Sequence, residues 1–445
     1  FPGRASRIAD LRLIVLLLIV MTGFALRADY AWQGSDEDLS DSAAYERIAR
    51  GLSEEGIYEQ VGSGTPANPQ SASNYSPGLP LLTAAVFVLA GDDDVRVARV
   101  ALALIASLAI VFAYLIACRL AGPGAGLVAA AALAFYPTLI TDSGMLLTES
   151  LAGTFFSGCI LAILRARDQS GWPAWALAGA MLGLTIMVRP EYLIVGCFVL
   201  LALVAIEARG GIAHAVRPVA VVAVSALAVL APWTVHNIVK LDQVVPISTG
   251  GGQTLFVGSY IDSQGNPTRV MPDLLRTNPL LLDELERQNQ MSGEGIDSIT
   301  PERVFALYAK ETYPHLETGA ALSRLGREQY LEALRDDPAG LASYFYRKAV
   351  RIWWRGRSGF IETIPGRMLH WAMVVSALGG LIVLGVRRRP EVWIFTAILA
   401  SVTLVGVLLV ASPRRAMVLW PLVSVLAGIG LTGAFGLARR ELQRR

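Results

Sequence analysis

The sequence predicts an all-α polytopic membrane protein with two large extracytoplasmic loops. The first observation is composition: 54% of the 445 residues are hydrophobic and 17% are charged, whereas soluble domains carry about 25% charged residues. The second is a series of apolar runs, each close to the roughly 20 residues that a helix needs to cross a bilayer. The third is that the long polar stretches are confined to residues 28–96 and 239–366.

The apolar runs predict about ten transmembrane helices, with nine to eleven as the range. The predicted spans are 11–27, 97–118, 122–140, 146–164, 173–188, 191–207, 214–238, 367–386, 391–411 and 415–437. We interpret 11–27 as a retained span and not as a cleaved signal peptide. The run is long, and Arg27-Ala28-Asp29 is not a small-residue cleavage site.

Basic residues set the orientation, because Lys and Arg are enriched in cytoplasmic loops. They occur before the first span, in segments 165–172, 208–217 and 387–390, and in the tail. Both termini are therefore predicted inside, and 28–96, 141–149 and 239–366 outside. The predicted domains are a transmembrane core (1–238), an extracytoplasmic helical segment (239–366), and C-terminal spans with a basic tail (367–445).

The run 78–90 is short for a crossing, since it has thirteen residues. Pro77, Gly78 and Pro80 precede or open it and make a stiff re-entry into the membrane. We predict that it lies on or dips into the outer leaflet. The alternative is an eleventh crossing, which would put the acidic first loop and the turn 141–149 on opposite sides.

Three features argue against a nucleic-acid-binding protein and against a Cys or His metal site. The net charge of +2 is too small to indicate a nucleic-acid partner. The three cysteines are isolated in apolar runs and are read as buried hydrophobes. The four histidines are scattered and form no metal-binding motif.

The first outer loop opens with an acidic stretch, GSDEDLSDSAAY, from Gly34 to Tyr45. Asp41 and Tyr45 are four residues apart and would share one face of a short helix. Carboxylates this close to a bilayer are costly unless they stay in water or take part in chemistry. The hypothesis is that Asp41 is a catalytic base at the outer rim of the membrane. The alternative is a solvated acidic loop beside a helix N-cap at Ser40 or Asp41.

Arginines at two predicted outer span ends run against the usual bias of basic residues. They are Arg189, in the string RPE, and the pair Arg414-Arg415, in the last outer turn. Arginine binds phosphate by bidentate hydrogen bonds, so both places are candidate sites for a lipid-linked phosphate. The alternatives are snorkelling or, for Arg189, an ion pair with Glu149 or Glu191.

The second outer segment contains predicted helices near 301–312, 318–335 and 339–354. The last interleaves aromatic and basic residues, which is typical of a helix lying along lipid headgroups. Gly250, Gly251 and Gly252 are too few for a phosphate loop and lack its lysine.

Several of these strings, in this order, resemble the GT-C superfamily of membrane glycosyltransferases. The nearest branch is that of the protein O-mannosyltransferases and lipid A aminoarabinose transferases. The strings are Asp41 to Tyr45, Ser76-Pro77-Gly78-Leu79-Pro80, Thr148-Glu149, Arg189-Pro190, Pro232-Trp233 with His236-Asn237, and Arg414-Arg415 before Pro421. Two departures stand out. His236 occupies a position where arginine is usual, and Asp36-Glu37 is a rival acidic pair to Asp41.

The resemblance implies a polyprenyl-phosphate sugar donor in the outer leaflet, and a lipid, glycan or protein acceptor. The high content of Ala, Gly and Arg indicates a bacterium, and therefore a bacterial cytoplasmic membrane. The resemblance also implies an inverting transfer in which Asp41 is the general base and Glu149 orients the acceptor or the first-loop helix. Arg189, Arg414 and Arg415 would bind the donor phosphate. Acceptor or substrate contacts are expected from Tyr45, Tyr75, His236, Asn237 and Gly251. No cofactor is expected to be required, although Asp36, Asp38 and Asp41 could ligate a divalent metal.

The alternative function is a transporter or flippase of lipid-linked sugars, and a third is a non-catalytic scaffold. Transport paths are marked by charges in the middle of spans. Nearly all charges here lie at span ends, and the outer loops are long. Both observations favour chemistry at the membrane surface.

Overall fold

The computed structural model describes residues 2–34, 40–59, 73–169, 171–262, 265, 267–292, 299–354 and 359–444. The regular secondary structure in these residues is helical, which confirms the all-α prediction. The chain separates into two compact units. The first comprises 1–247, 355–401 and 414–445, and the second comprises 248–354 and 402–413.

The first ten α-helices lie in the first unit. They are α1 (Pro2–Gln33), α2 (Ser40–Glu54), α3 (Gly78–Ala90), α4 (Val95–Ala121), α5 (Pro123–Ala134), α6 (Pro137–Thr141), α7 (Thr148–Gln169), α8 (Trp172–Val188), α9 (Tyr192–Glu207) and α10 (Ile212–Leu241). Short 3₁₀ turns follow α6 at Asp142–Gly144 and α9 at Ala208–Gly210.

The next six helices form most of the second unit: α11 (Gly251–Ser259), α12 (Pro267–Thr277), α13 (Pro279–Ser292), α14 (Pro301–Thr312), α15 (Thr318–Asp336) and α16 (Pro338–Trp354). Phe256 packs edge-on against Phe305 in its core, with the ring centroids 5.7 Å apart. The Gly258 carbonyl accepts hydrogen bonds from the Tyr330 hydroxyl, the Tyr344 hydroxyl and the buried Lys348 ammonium, at 2.7 to 2.9 Å. These three bonds tie α15 and α16 to α11.

The remaining helices are α17 (Gly359–Glu362), α18 (Ile364–Val386), α19 (Glu391–Leu408), α20 (Pro413–Met417) and α21 (Trp420–Arg444). The helices α18 and α21 pack backbone to backbone at Gly380 and Gly430. A Cβ atom at either glycine would collide with a carbonyl oxygen of the facing helix. Small residues allow this close packing of spans in a bilayer.

The helices account for the predicted spans. In the described residues, α1, α4, α7, α10, α18 and α19 are long and apolar enough to cross a membrane, and there are seven such spans if the bent pair α5 and α6 is taken as one. The shorter apolar helices α8, α9 and α21 coincide with the other predicted spans. The prediction of a polytopic membrane protein is confirmed.

Charged side chains at the ends of the spans form two clusters, one at each end of α7. At its start, Glu149 pairs with Arg189 and Arg414. At its end, Arg167 pairs with Glu207 at 2.7 Å and with Glu391 at 3.0 Å. This grouping is the one that the predicted alternation of spans requires.

Helix α3 begins and ends at the Glu149 end of the bundle. At its start, a Cβ at Gly78 would collide with the backbone of Met187, which shows how closely α3 approaches α8. Beyond its end, Asp93 pairs with Arg50 of α2. From there α4 runs 27 residues, or about 40 Å, to the opposite end. The structure therefore favours the predicted re-entrant position of 78–90 over an eleventh crossing.

Candidate active site

The N-terminus of α2 is fixed beside the segment that leads into α7. The backbone N–H of Leu146 donates a hydrogen bond of 3.0 Å to the Ser42 hydroxyl. Asp41 lies in the first turn of α2, and Glu149 lies in the first turn of α7. A carboxylate is stabilised in that position by the helix dipole. The fold thus brings together the two acids that the sequence suggested.

Arg414 joins these two acids. Its Nη1 lies 2.7 Å from Oδ2 of Asp41, and its Nε donates to Oε1 of Glu149. The Glu149 carboxylate also lies 3.3 Å from Nη1 of Arg189. Asp41 is therefore not a merely solvated loop carboxylate, because one of its oxygens is held by a specific arginine.

A third carboxylate, Glu191, pairs with Arg189 and Arg415. Its Oε1 accepts from Nη2 of Arg189 at 2.8 Å and from Nη1 of Arg415 at 3.0 Å. For Arg189, the structure contains both of the ion pairs that the sequence offered as alternatives to phosphate binding. Phosphate binding by these arginines stays a prediction.

The cluster balances three arginines against three carboxylates, Asp41, Glu149 and Glu191. Burial alone would raise the pKa of Glu191, but Arg189 and Arg415 lower it to about 2. Burial would lower the pKa of Arg414, but Glu149 and Asp41 raise it above its ordinary value. Glu191 and Arg414 are therefore ionised at neutral pH.

The three carboxylates differ sharply in exposure. The Asp41 side chain is 43% exposed, Glu191 is 18% exposed and Glu149 is 0% exposed. Asp41 is thus the acid of this cluster that an incoming hydroxyl group can reach. Glu149 is suited to holding Arg414 and Arg189 in place, which agrees with an orienting role.

Tyr45 lies one turn after Asp41 on α2, and Tyr75 lies in the segment that precedes α3. Their rings meet edge-on with centroids 5.3 Å apart. Tyr45 is buried, and burial raises the pKa of its hydroxyl above the ordinary value. The Tyr58 hydroxyl donates to the Tyr75 carbonyl at 3.1 Å, and its ring meets Trp233 edge-on at 4.7 Å.

The other predicted contact residues serve the fold in identifiable ways. His236 stacks on Trp233, with centroids 4.6 Å apart. The buried Asn237 amide donates to the carbonyls of Val245 and Ile247, at 2.9 and 3.1 Å, and so fastens the chain after α10. Gly251 opens α11 in the second unit, where a Cβ would meet no atom within 4 Å. Their roles toward a substrate stay predictions.

Asp36, Glu37 and Asp38 lie outside the described residues, so the rival acidic pair has no structural account. Within the described residues, no group of three or more His, Cys, Asp or Glu side chains could hold a metal ion. The suggestion of a divalent metal on Asp36, Asp38 and Asp41 therefore stays untested.

The chain is similar to known proteins in sequence and in fold. A family model described as dolichyl-phosphate-mannose-protein mannosyltransferase matches residues 74–236. Among solved structures, the archaeal oligosaccharyltransferase AglB from Archaeoglobus fulgidus, in complex with an inhibitory peptide and a dolichol-phosphate, matches 97% of this chain. Its TM-score is 0.54 at 14% identity. The apo oligosaccharyltransferase of that organism matches with a TM-score of 0.56 at 16% identity. The chain is thus similar to this mannosyltransferase family over residues 74–236, and its fold is similar to that of the archaeal oligosaccharyltransferases.

The chain spans about half the length of the archaeal enzymes, 51% and 52% of the two structures. ArnT from Cupriavidus metallidurans bound to undecaprenyl phosphate gives a TM-score of 0.44 at 16% identity, over 96% of this chain and 78% of that one. No curated protein matches the sequence. The predicted superfamily resemblance is confirmed.

Arg27, which was not among the predicted site residues, supports the candidate site from within the bundle. Arg27 of α1 is 3% exposed. Its guanidinium donates to the carbonyls of Gly23, Leu133 and Ala134, each at 2.9 Å. Pro137 has no N–H to give the Leu133 carbonyl its helical partner, and α5 and α6 meet there at a bend of 55°. Arg27 therefore satisfies carbonyls that the bend leaves open.

Arg27 and Glu149 also line one cavity of about 20 Å³, which is room for about one water molecule. Because α6 leads into the segment before α7, Arg27 helps to set the position of Glu149. The sequence signal that could have identified Arg27 was an arginine inside one predicted span together with a proline inside another.

We expect Arg27→Met to lower the free energy of unfolding by about 2–5 kcal/mol, because two buried carbonyls lose their donors. Arg27→Lys should recover part of that loss. Thermal unfolding in a neutral detergent measures both effects. Arg12→Met is the matched control, since Arg12 is exposed on the same helix. Equal stability of the Arg27→Met and Arg12→Met variants would contradict this role.

Proposed function

We propose that the chain is a glycosyltransferase that moves a sugar from a polyprenyl-phosphate donor to a hydroxyl acceptor at the outer face of a bacterial cytoplasmic membrane. The observation that carries the proposal is the Asp41 carboxylate. It is the exposed acid in a cluster of paired acids and arginines, and Arg414 links it to the buried Glu149. The family model and the GT-C fold support the reaction class.

The proposed chemistry is one inverting displacement. The acceptor oxygen attacks the anomeric carbon of the sugar, and the bond from that carbon to the phosphate oxygen breaks. The acceptor proton passes to the Asp41 carboxylate, and polyprenyl phosphate leaves. A positioned base contributes about 10² to 10⁴-fold to such a step. The phosphate leaving group needs charge stabilisation and no proton, which suits an arginine.

The balanced charges of the cluster suggest how the donor enters. A donor phosphate adds negative charge, and the arginines that would receive it already hold carboxylates. Arg414 can exchange Asp41 for the phosphate while it keeps Glu149 as its buried partner. That exchange frees Asp41 from an arginine that opposes protonation of a carboxylate. Donor binding and activation of the base are then one event.

The site lies where a polyprenyl donor requires it. The aliphatic chain of such a donor stays in the bilayer, while its phosphate and sugar remain in water at the surface. The cluster lies at the ends of α7 and α8 and just before α21, and the spans below it are apolar. The extracytoplasmic side follows from the basic segments at the opposite end.

The direct test is incubation of the purified protein with a panel of polyprenyl-phosphate hexoses and pentoses and a membrane extract as acceptor source. Mass analysis should detect polyprenyl phosphate and a glycosylated acceptor for one class of donor. Release of polyprenyl phosphate without a glycosylated product would point to hydrolysis. Movement of an intact donor across proteoliposome membranes would support the transporter alternative.

A further inference from the structure

The end of the bundle opposite the candidate active site contains a cavity of about 310 Å³ whose wall combines apolar side chains with one arginine. It lies among α4, α7 and α8 and reaches from Arg165 to Gly158, which is two turns of α7 or about 10 Å. The wall is formed by Phe112, Gly158, Leu161, Ala162, Ala174, Leu177 and Met181. Arg165 is the one lining residue with a polar side chain.

Among the described residues near this cavity, the neighbouring arginines form ion pairs and Arg165 does not. Arg119 pairs with Asp168, with Nη2 2.7 Å from Oδ1, and Arg167 pairs with Glu207 and Glu391. Arg165 is exposed and pairs with no carboxylate in the part of the chain that the structure describes. Arg165 is therefore an exposed charge that lines a cavity with otherwise apolar side chains.

The position of Trp172 indicates that the cavity begins at a membrane–water interface. Trp172, the first residue of α8, is 65% exposed, and tryptophan is enriched at membrane–water interfaces. Ala174 and Leu177 follow it along the cavity wall. The cavity thus extends from the interface into the hydrocarbon region.

We propose that this cavity binds one anionic phospholipid of the leaflet distal to the candidate active site. Its phosphate contacts the guanidinium of Arg165, and part of one acyl chain fills the space beside Phe112 and Gly158. The volume is at the lower end of the range for small-molecule sites, about 300 to 1,000 Å³. Charge complementarity and the apolar wall select an amphipathic anion over a soluble one. The inference does not depend on the proposed sugar transfer.

The test is native mass spectrometry of the full chain, purified in neutral detergent and titrated with phosphatidylglycerol or phosphatidylcholine. The wild type should retain one phosphatidylglycerol more strongly than phosphatidylcholine. Arg165→Gln should weaken retention of phosphatidylglycerol about fivefold, the usual value of one basic residue at an anionic surface. Arg217→Gln is the matched control, because Arg217 is exposed and does not line the cavity.

A second variant keeps the proposal testable if Arg165→Gln folds poorly. Ala174→Phe fills the hollow without removing a charge, and it should displace the acyl chain and weaken retention of both lipids. Equal retention by the wild type, Arg165→Gln and Arg217→Gln would overturn the proposal. So would a wild type that does not distinguish the two lipids.

Discussion

Asp41→Asn is expected to lower the rate of sugar transfer by about 10² to 10⁴-fold, the usual contribution of a general base. Asparagine has nearly the shape of aspartate, and its carbonyl oxygen can still accept a hydrogen bond from Arg414. The first turn of α2 should therefore stay in place, and donor binding should survive. Initial rates at saturating donor, together with a separate donor-binding measurement, distinguish a chemical effect from a binding effect.

The control for this variant is the acidic pair beside it. The Asp36→Asn, Glu37→Gln double variant removes two charges from the same stretch and should transfer sugar at nearly the wild-type rate. Loss of transfer in the double variant, with normal transfer in Asp41→Asn, would assign the base to the rival pair.

Arg414→Gln is expected to have the second large effect, on both stability and transfer. Glu149 is fully buried, and removal of one partner of a buried ion pair typically costs about 3–5 kcal/mol. The variant should also lose at least about 10²-fold in transfer, because the donor phosphate loses a charge partner. Thermal unfolding and transfer rates are measured on the same preparation.

Two further variants separate these effects. Arg387→Gln removes an exposed arginine from the opposite end of the bundle and should change neither quantity appreciably. The Arg414→Gln, Glu149→Gln double variant removes both buried charges and should recover much of the stability without recovering transfer. Full transfer by this double variant would contradict a role for Arg414 in the reaction.

The bundle could be predicted from the sequence because its determinants are local. Apolar length defines a span, and the placement of arginine orients it. The position of 78–90 was also predictable, because thirteen residues bounded by proline and glycine fit a re-entrant helix better than a crossing. Asp41, Glu149, Arg189 and Arg414 were each selected for their charge beside a membrane.

The partners within the site could not be predicted. The contact of Arg414 with both Asp41 and Glu149 joins three distant segments, and no local pattern specifies such a pairing. Arg27 was missed for the same reason, because its role depends on a bend in another helix at Pro137. The resemblance predicted a substrate contact for Asn237. In the structure its amide donates hydrogen bonds to the carbonyls of Val245 and Ile247, a contact that the sequence did not indicate.

The most direct test of the account is a density map of the protein with a polyprenyl phosphate bound. The account predicts that the phosphate contacts Arg414, alone or with Arg189 or Arg415, at the N-terminus of α2, and that Asp41 has released Arg414. A phosphate bound at the opposite end of the bundle, beside Arg167 or Arg388, would contradict it.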